Sequence, residues 1–154
     1  MESLRSSDDF KNLLSLFNAE NVRYLVIGGF ALAHFGHPRY TKDLDLWVDP
    51  EGDNPERVFR ALARFGAALE GVSPNDFRDA DTVFQIGVEP LRIDLLNDIS
   101  GVTFGDAWEH RTSADYGGVP VTVIGHDDYV SNKLASGRAS DLRDVETLRE
   151  AEET

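Results

Sequence analysis

The stretch Val26 to Trp47, VIGGFALAHFGHPRYTKDLDLW, constrains the fold more than any other part of the chain. An apolar run, Tyr24 to Ile27, breaks off at Gly28-Gly29. A short helical stretch follows from Phe30 to His34, then a polar loop. The chain then enters a second apolar strand, Leu44 to Val48, with Asp43 and Asp45 built into its start. Residues two apart on a strand share a face, roughly 7 Å apart along it. Two carboxylates on one face of an otherwise apolar strand repel each other and resist burial. A hard cation relieves both costs. Mg²⁺ takes carboxylate oxygens and keeps positions open for phosphate.

Gly28 and Gly29 have two readings. One is a tight turn that needs a positive φ; the other is a phosphate cradle at the N-terminus of the following helix, where backbone N–H groups favour an anion. Between the two strands lie His34, His37, Arg39, Thr41 and Lys42. The i, i+3 spacing of His34 and His37 suits a metal, but no third His or Cys stands near them to complete a site. Arg39 and Lys42 are either solvated loop residues or guides for an incoming phosphate.

Around this centre the periodicities predict a mixed α and β chain. Phe10, Leu13, Leu14 and Phe17 make one apolar face of a helix from Ser6 to Phe17, and Arg23 to Ile27 reads as a strand buried on both faces. A helix should begin near Pro55, with Val58, Phe59, Leu62 and Phe65 inward and Asp53 or Asn54 as its cap. Gly66 to Asp81 reads as loop, with one helical turn at Asn75 to Phe77. Val83 to Gly87 and Leu91 to Leu96 form an antiparallel hairpin. On its second strand Arg92 and Asp94 share a face, by plain reading a wet one. Phe104, Ala107 and Trp108 suggest a short helix ending near His110, ahead of the strand Val119 to Ile124. Pro120 cannot donate to a ladder, so this strand is expected at a sheet edge. Asp127 caps a helix with Tyr129, Val130, Leu134 and Ala135 inward. Gly137 ends it, and Ser140 caps a last helix with Leu142, Val145 and Leu148 inward and a fraying acidic tail from Glu146. By composition alone, Lys133, Arg138, Asp141 and Asp144 are solvated helix ends with local ion pairs.

Gly28-Gly29 followed by Asp43-Leu44-Asp45, each set against an apolar strand, resembles the nucleotidyltransferase superfamily with the DNA polymerase beta-like fold. That family runs apolar strand, Gly-Gly or Gly-Ser, spacer, then Asp-x-Asp. Gly29 stands where many members have a serine, so any phosphate contact there falls to backbone N–H. The string Gly36-x-x-Arg39-x-Thr41-x-Asp43-Leu44-Asp45 resembles one branch, the abortive-infection nucleotidyltransferase toxins. So does the later series Lys133, Arg138, Asp141. The resemblance runs from about Leu25 to Val145. It implies an α+β fold, a small mixed or antiparallel sheet flanked by helices. It implies that Asp94 joins Asp43 and Asp45 as a third carboxylate, the three being catalytic and holding Mg²⁺ or Mn²⁺. It implies a nucleoside triphosphate over Gly28, Gly29 and Thr41, with Lys133 on its phosphates and Arg138 and Asp141 shaping the site. The reaction implied is transfer of a nucleotidyl group to a hydroxyl on an RNA end or a protein. A cognate partner chain or a second copy often completes the cleft in small relatives.

Composition trims the alternatives. The chain of 154 residues is expected to be one domain with a single core. It has no cysteine, which excludes a disulfide framework and a thiolate zinc site, and a cytoplasmic setting is expected. No apolar run approaches the ~20 residues of a membrane span, and MESLRSSDDF lacks a signal peptide's regions. A net charge of −13 repels nucleic acid unless basic residues cluster, and no long basic run is present.

Overall fold

The computed structural model describes residues 7–36, 43–80, 82–87 and 91–153. Its centre is the predicted strand pair. β1 (Tyr24–Ile27) is buried along its whole length and pairs antiparallel with β2 (Asp43–Val48), Tyr24 opposite Val48 and Ile27 opposite Asp45. β3 (Val83–Ile86) and β4 (Arg92–Leu96) form the expected antiparallel hairpin, and β4 runs parallel to β2. β5 (Thr112–Tyr116) and β6 (Val119–Val123) form a second hairpin, joined to β1 through a parallel pairing at Val26 and Val123. The result is one six-stranded mixed sheet in the order β3-β4-β2-β1-β6-β5.

The helices cover this sheet because their apolar residues recur at helical spacing. α1 (Ser7–Ala19) sinks Phe10, Leu13, Leu14 and Phe17, and packs on α3 (Asn54–Phe65) and on β6. α3 is preceded by Asp53, which makes no side-chain capping bond. Asn54 instead lies buried in the first turn, bonded to the backbone of Arg23 and Asp49. The turn expected near Asn75 is a short 3-10 helix, Pro74–Arg78, closed by a reciprocal cap between Ser73 and Asp76. α2 (Gly28–His34) follows β1 directly, and α4 (Phe104–Glu109) sets Phe104 edge-on against Trp47. α5 (His126–Ser136) and α6 (Ala139–Glu153) pack against each other. Among the described residues no helix is long and apolar enough to cross a membrane.

Several expectations are corrected. β6 is not an edge strand; β5 is the edge, and the sequence reading missed it. Pro120 is tolerated because β6 meets β1 only around Val123, while Pro120 sits opposite Asp115 of β5 and lends its carbonyl to Asn18. Gly125, not Asp127, is the N-cap of α5, and the Asp127 carboxylate bonds the neighbouring His126 ring. Ser140 lies inside α6 rather than capping it, and that helix continues to Glu153 instead of fraying from Glu146. Leu134 and Leu142 face solvent, at 46% and 45% exposure. α6 packs mainly on α5, so its buried stripe is narrow: Asp141, Val145 and Leu148.

Candidate active site

The pairing of β2 with β4 sets the site. Asp45 lies opposite Asp94, and Asp43 lies opposite Arg92. Partner residues on neighbouring strands, and residues two apart on one strand, share a face, so all four side chains stand on the same side of the sheet. This face is not the wet one read from the sequence. Asp94 is 8% exposed, and the Arg92 guanidinium covers it with bonds from Nε to Oδ1 at 3.0 Å and from Nη2 to Oδ2 at 3.1 Å. The same Nη2 reaches Asp43 Oδ2 at 3.4 Å.

Asp45 carries the strain of the cluster. Burial, then the charges of Asp94 and Asp43, push its carboxyl up to about 6; Arg92 and Lys133 oppose the rise. Gly28 explains how the chain fits this carboxylate in. Its φ is +72°, and a Cβ built there would fall on Asp45 Oδ2. A glycine is needed both for the backbone turn and for the close approach. Gly28 and Gly29 open α2 at once, ahead of the Phe30 start that the sequence pattern predicts, and no side chain caps this end. Replacing Gly28 by Ala should therefore displace the Asp45 carboxylate. The expected result is a loss of ~1–2 kcal/mol in thermal stability with a disproportionate loss of any activity that needs Asp45. A melt and an activity assay on the same preparation check it.

Lys133, Arg138 and Asp141 also come together, though not all at the carboxylates. Asp141 is 3% exposed and receives Ser136 Oγ at 2.6 Å, Arg138 Nε at 2.8 Å and Lys133 Nζ at 3.1 Å. Burial alone would raise its pKa, but these three donors outweigh it and hold the carboxyl at about 2. Lys133 also lies 3.8 Å from Asp144 and 5.5 Å from the centre of the Tyr129 ring, and its charge reaches Asp45. Arg138 is largely exposed and anchors Asp141. Thr41 falls outside the described residues, as do His37, Arg39 and Lys42. His34 bonds Thr112 Oγ1 at 3.2 Å.

Sequence reasoning gave no role to Ser136 and gave Asp144 only a local ion pair, which it makes with Lys133. Their signal is spacing: Ser136 follows Lys133 by three on α5, and Asp144 follows Asp141 by three on α6, so each pair shares a helix face. An apolar cavity lies elsewhere. It is lined by Val26, Leu44, Phe30 and Tyr116 among others, and Val26 and Leu44 point away from Asp43 and Asp45, so it opens on the other side of the sheet.

Among the described residues, no three His, Cys, Asp or Glu side chains form a ready-made metal-ligating group. The donor set nevertheless fits a hard divalent cation in kind. It is all carboxylate, gathered on one sheet face, and its mutual repulsion is visible in the raised Asp45. Arg92 donates to both oxygens of Asp94 and to one of Asp43 on this face.

Comparison with known proteins bears on the fold and the family. No curated protein matches the chain in sequence. Several solved structures share its fold, among them the following two. A lincosamide antibiotic adenylyltransferase, LnuA, solved with lincomycin bound, is 16% identical with a TM-score of 0.59, over 94% of this chain and 96% of that one. An antigenic nucleotidyltransferase-like protein from Paracoccidioides brasiliensis is 16% identical with a TM-score of 0.55, over 93% of this chain and 76% of that one. A family model described as nucleotidyl transferase of unknown function (DUF2204) matches residues 6–154, nearly the whole length, and the chain therefore belongs to that nucleotidyl transferase family.

Proposed function

We propose that this chain is a metal-dependent nucleotidyltransferase that moves a nucleoside monophosphate from a nucleoside triphosphate to an acceptor hydroxyl. The observation that carries the reading is the register that sets Asp45 against Asp94 with Asp43 on the same face. Asp43, Asp45 and Asp94 would hold Mg²⁺ or Mn²⁺, which when bound neutralises triphosphate charge and makes the acceptor hydroxyl easier to deprotonate. The chain's own groups do the rest. Backbone N–H groups of Gly28 and Gly29 and the Lys133 ammonium bind the triphosphate, and Asp141, braced by Arg138 and Ser136, holds Lys133 in place. Thr41 is assigned to the nucleotide on the family pattern alone. The acceptor oxygen bonds to the α-phosphorus as the bond to the bridging oxygen breaks. Pyrophosphate leaves and Asp94 takes the hydroxyl proton.

The acceptor is a hydroxyl on an RNA end or on a protein, in a toxin–antitoxin or phage-defence setting in the cytoplasm, with the chain acting as one domain. The net charge of −13 favours a protein hydroxyl over a large RNA surface, or a partner chain or second copy that supplies the basic half of the cleft. The likeness to LnuA is one of fold and does not transfer its substrate.

The deciding assay is Mg²⁺-dependent pyrophosphate release from each nucleoside triphosphate, with pooled tRNA and then with lysate protein. Asp43→Ala/Asp45→Ala runs in parallel. Label on RNA or protein that disappears in the double variant is the expected result. One observation favours a second reading: Arg92 already bridges Asp43 and Asp94, as in a silent nucleotide- or partner-binding module. Nucleotide binding by calorimetry without pyrophosphate release from any mixture would select that module.

A further inference from the structure

Arg92 is a basic side chain that touches the carboxylate face directly, and its geometry is uneven. It forms a two-pronged pair with Asp94, at 3.0 and 3.1 Å, and a longer contact of 3.4 Å with Asp43. Asp94 has 11% of its side chain exposed and needs a counter-charge; Arg92 has 30% exposed and lies at the rim. The guanidinium can therefore leave by rotating toward solvent, without crossing the core. Lys133, whose charge also reaches Asp45, is committed to Asp141 and Asp144.

We infer that Arg92 is an exchangeable counter-ion: it holds Asp43 and Asp94 in the metal-free protein, competes with the divalent cation for them, and on release turns to the phosphates of the nucleotide. This rests on the transferase reading above. An arginine fork matches phosphate oxygens as well as carboxylate oxygens, so one side chain serves both states. The consequence is an ordered site. Cation uptake frees the guanidinium, and the freed guanidinium favours the anion, so the two ligands reinforce each other. A cation alone binds weakly, because the state that accepts it is only partly populated.

The test measures Mn²⁺ uptake by electron paramagnetic resonance in wild type, Arg92→Gln, Arg92→Lys and Asp45→Asn, with circular dichroism to confirm folding. It then measures affinity for a non-hydrolysable nucleotide at saturating Mn²⁺. Arg92→Gln should bind Mn²⁺ about ten-fold more tightly than wild type, and the nucleotide about ten-fold more weakly. Arg92→Lys keeps the charge but loses the fork, and should fall between. Arg92→Gln that binds Mn²⁺ no better than wild type, while Asp45→Asn loses it, overturns the role of Arg92 and leaves the transferase reading standing. Wild type and Asp45→Asn that take up Mn²⁺ equally overturn the transferase reading itself. If Arg92→Gln does not fold, Arg92→Lys with wild-type affinities for both ligands overturns the inference.

Discussion

Asp45→Asn should abolish nucleotidyl transfer and yet give a more stable protein at neutral pH. The first effect follows from its place. Asp45 lies between Asp94, its partner on β4, and Asp43, two residues along β2, so it is the carboxylate that both neighbours act on. Losing a carboxylate that would hold the charge-neutralising cation costs ~4 kcal/mol of transition-state stabilisation, about a thousand-fold in rate. The second effect follows from the sign of its pKa shift. Burial and two neighbouring anions raise Asp45 from 3.8 to about 6 in the folded protein. The folded state thus binds more protons than the unfolded state between those values. Its contribution is most favourable below 3.8 and is lost as pH rises through 6. Above pH 6 the ionised group costs at most about 3 kcal/mol, less where water reaches this half-buried side chain. Asn keeps the shape and removes the charge. Melts of wild type and variant should diverge at pH 7.5, with the variant higher, and converge toward pH 4. Adding Mn²⁺ at pH 7.5 should raise the wild-type melting temperature and leave the variant unmoved. A variant that melts lower than wild type at pH 7.5, or that retains turnover, would contradict the assignment.

The legible parts of this molecule are those where one residue type has one physical use. β1 reads as a buried strand because four apolar residues in a row suit no other place of that length, and all four are buried. The glycine pair and the Asp-x-Asp read as a site because acids in an apolar strand need a counter-charge, and Gly28 and Asp45 do meet. Asp94 could be placed beside them only through family resemblance, since strand pairing between distant segments leaves no mark in local sequence. β5 stayed hidden because Thr112, Ser113 and Asp115 give it no apolar period; its pairing with β6 supplies what its side chains do not. Leu142 was misplaced for a reason that bears on function. Apolar pattern gives the inward position to Leu142, but the position is taken by Asp141, buried together with the lysine, serine and arginine that satisfy it. A buried carboxylate in a helix is invisible to hydrophobic periodicity. The spacing of its partners is the only trace it leaves.

That carboxylate gives the second large effect. Asp141→Asn should destabilise the α5–α6 pair and loosen Lys133. With the folded pKa at about 2, below the ordinary 3.8, the unfolded state binds more protons in that window. The stabilisation is fully present above pH 3.8 and disappears as pH falls through 2. At neutral pH it amounts to about 2 kcal/mol, which in a chain of this size lowers the melting temperature by about 4–8 °C. Asparagine still accepts one bond from Ser136 or Arg138, but it leaves the Lys133 ammonium, 15% exposed, with Asp144 at 3.8 Å as its nearest acid partner. The lysine is then less fixed where the triphosphate is to bind. Transfer should suffer mainly through a rise in KM for the nucleotide, with kcat falling less, because a loosened binding group weakens ground state and transition state alike. Melts at pH 7 and pH 3 separate the two effects: the gap between wild type and Asp141→Asn should be wide at pH 7 and narrower at pH 3. An unchanged melting temperature at pH 7 would mean that Asp141 and its donors are no more than a solvated cluster. A lower melting temperature with unchanged KM would mean that Lys133 does not meet the nucleotide and that the buried carboxylate serves the helix pair alone.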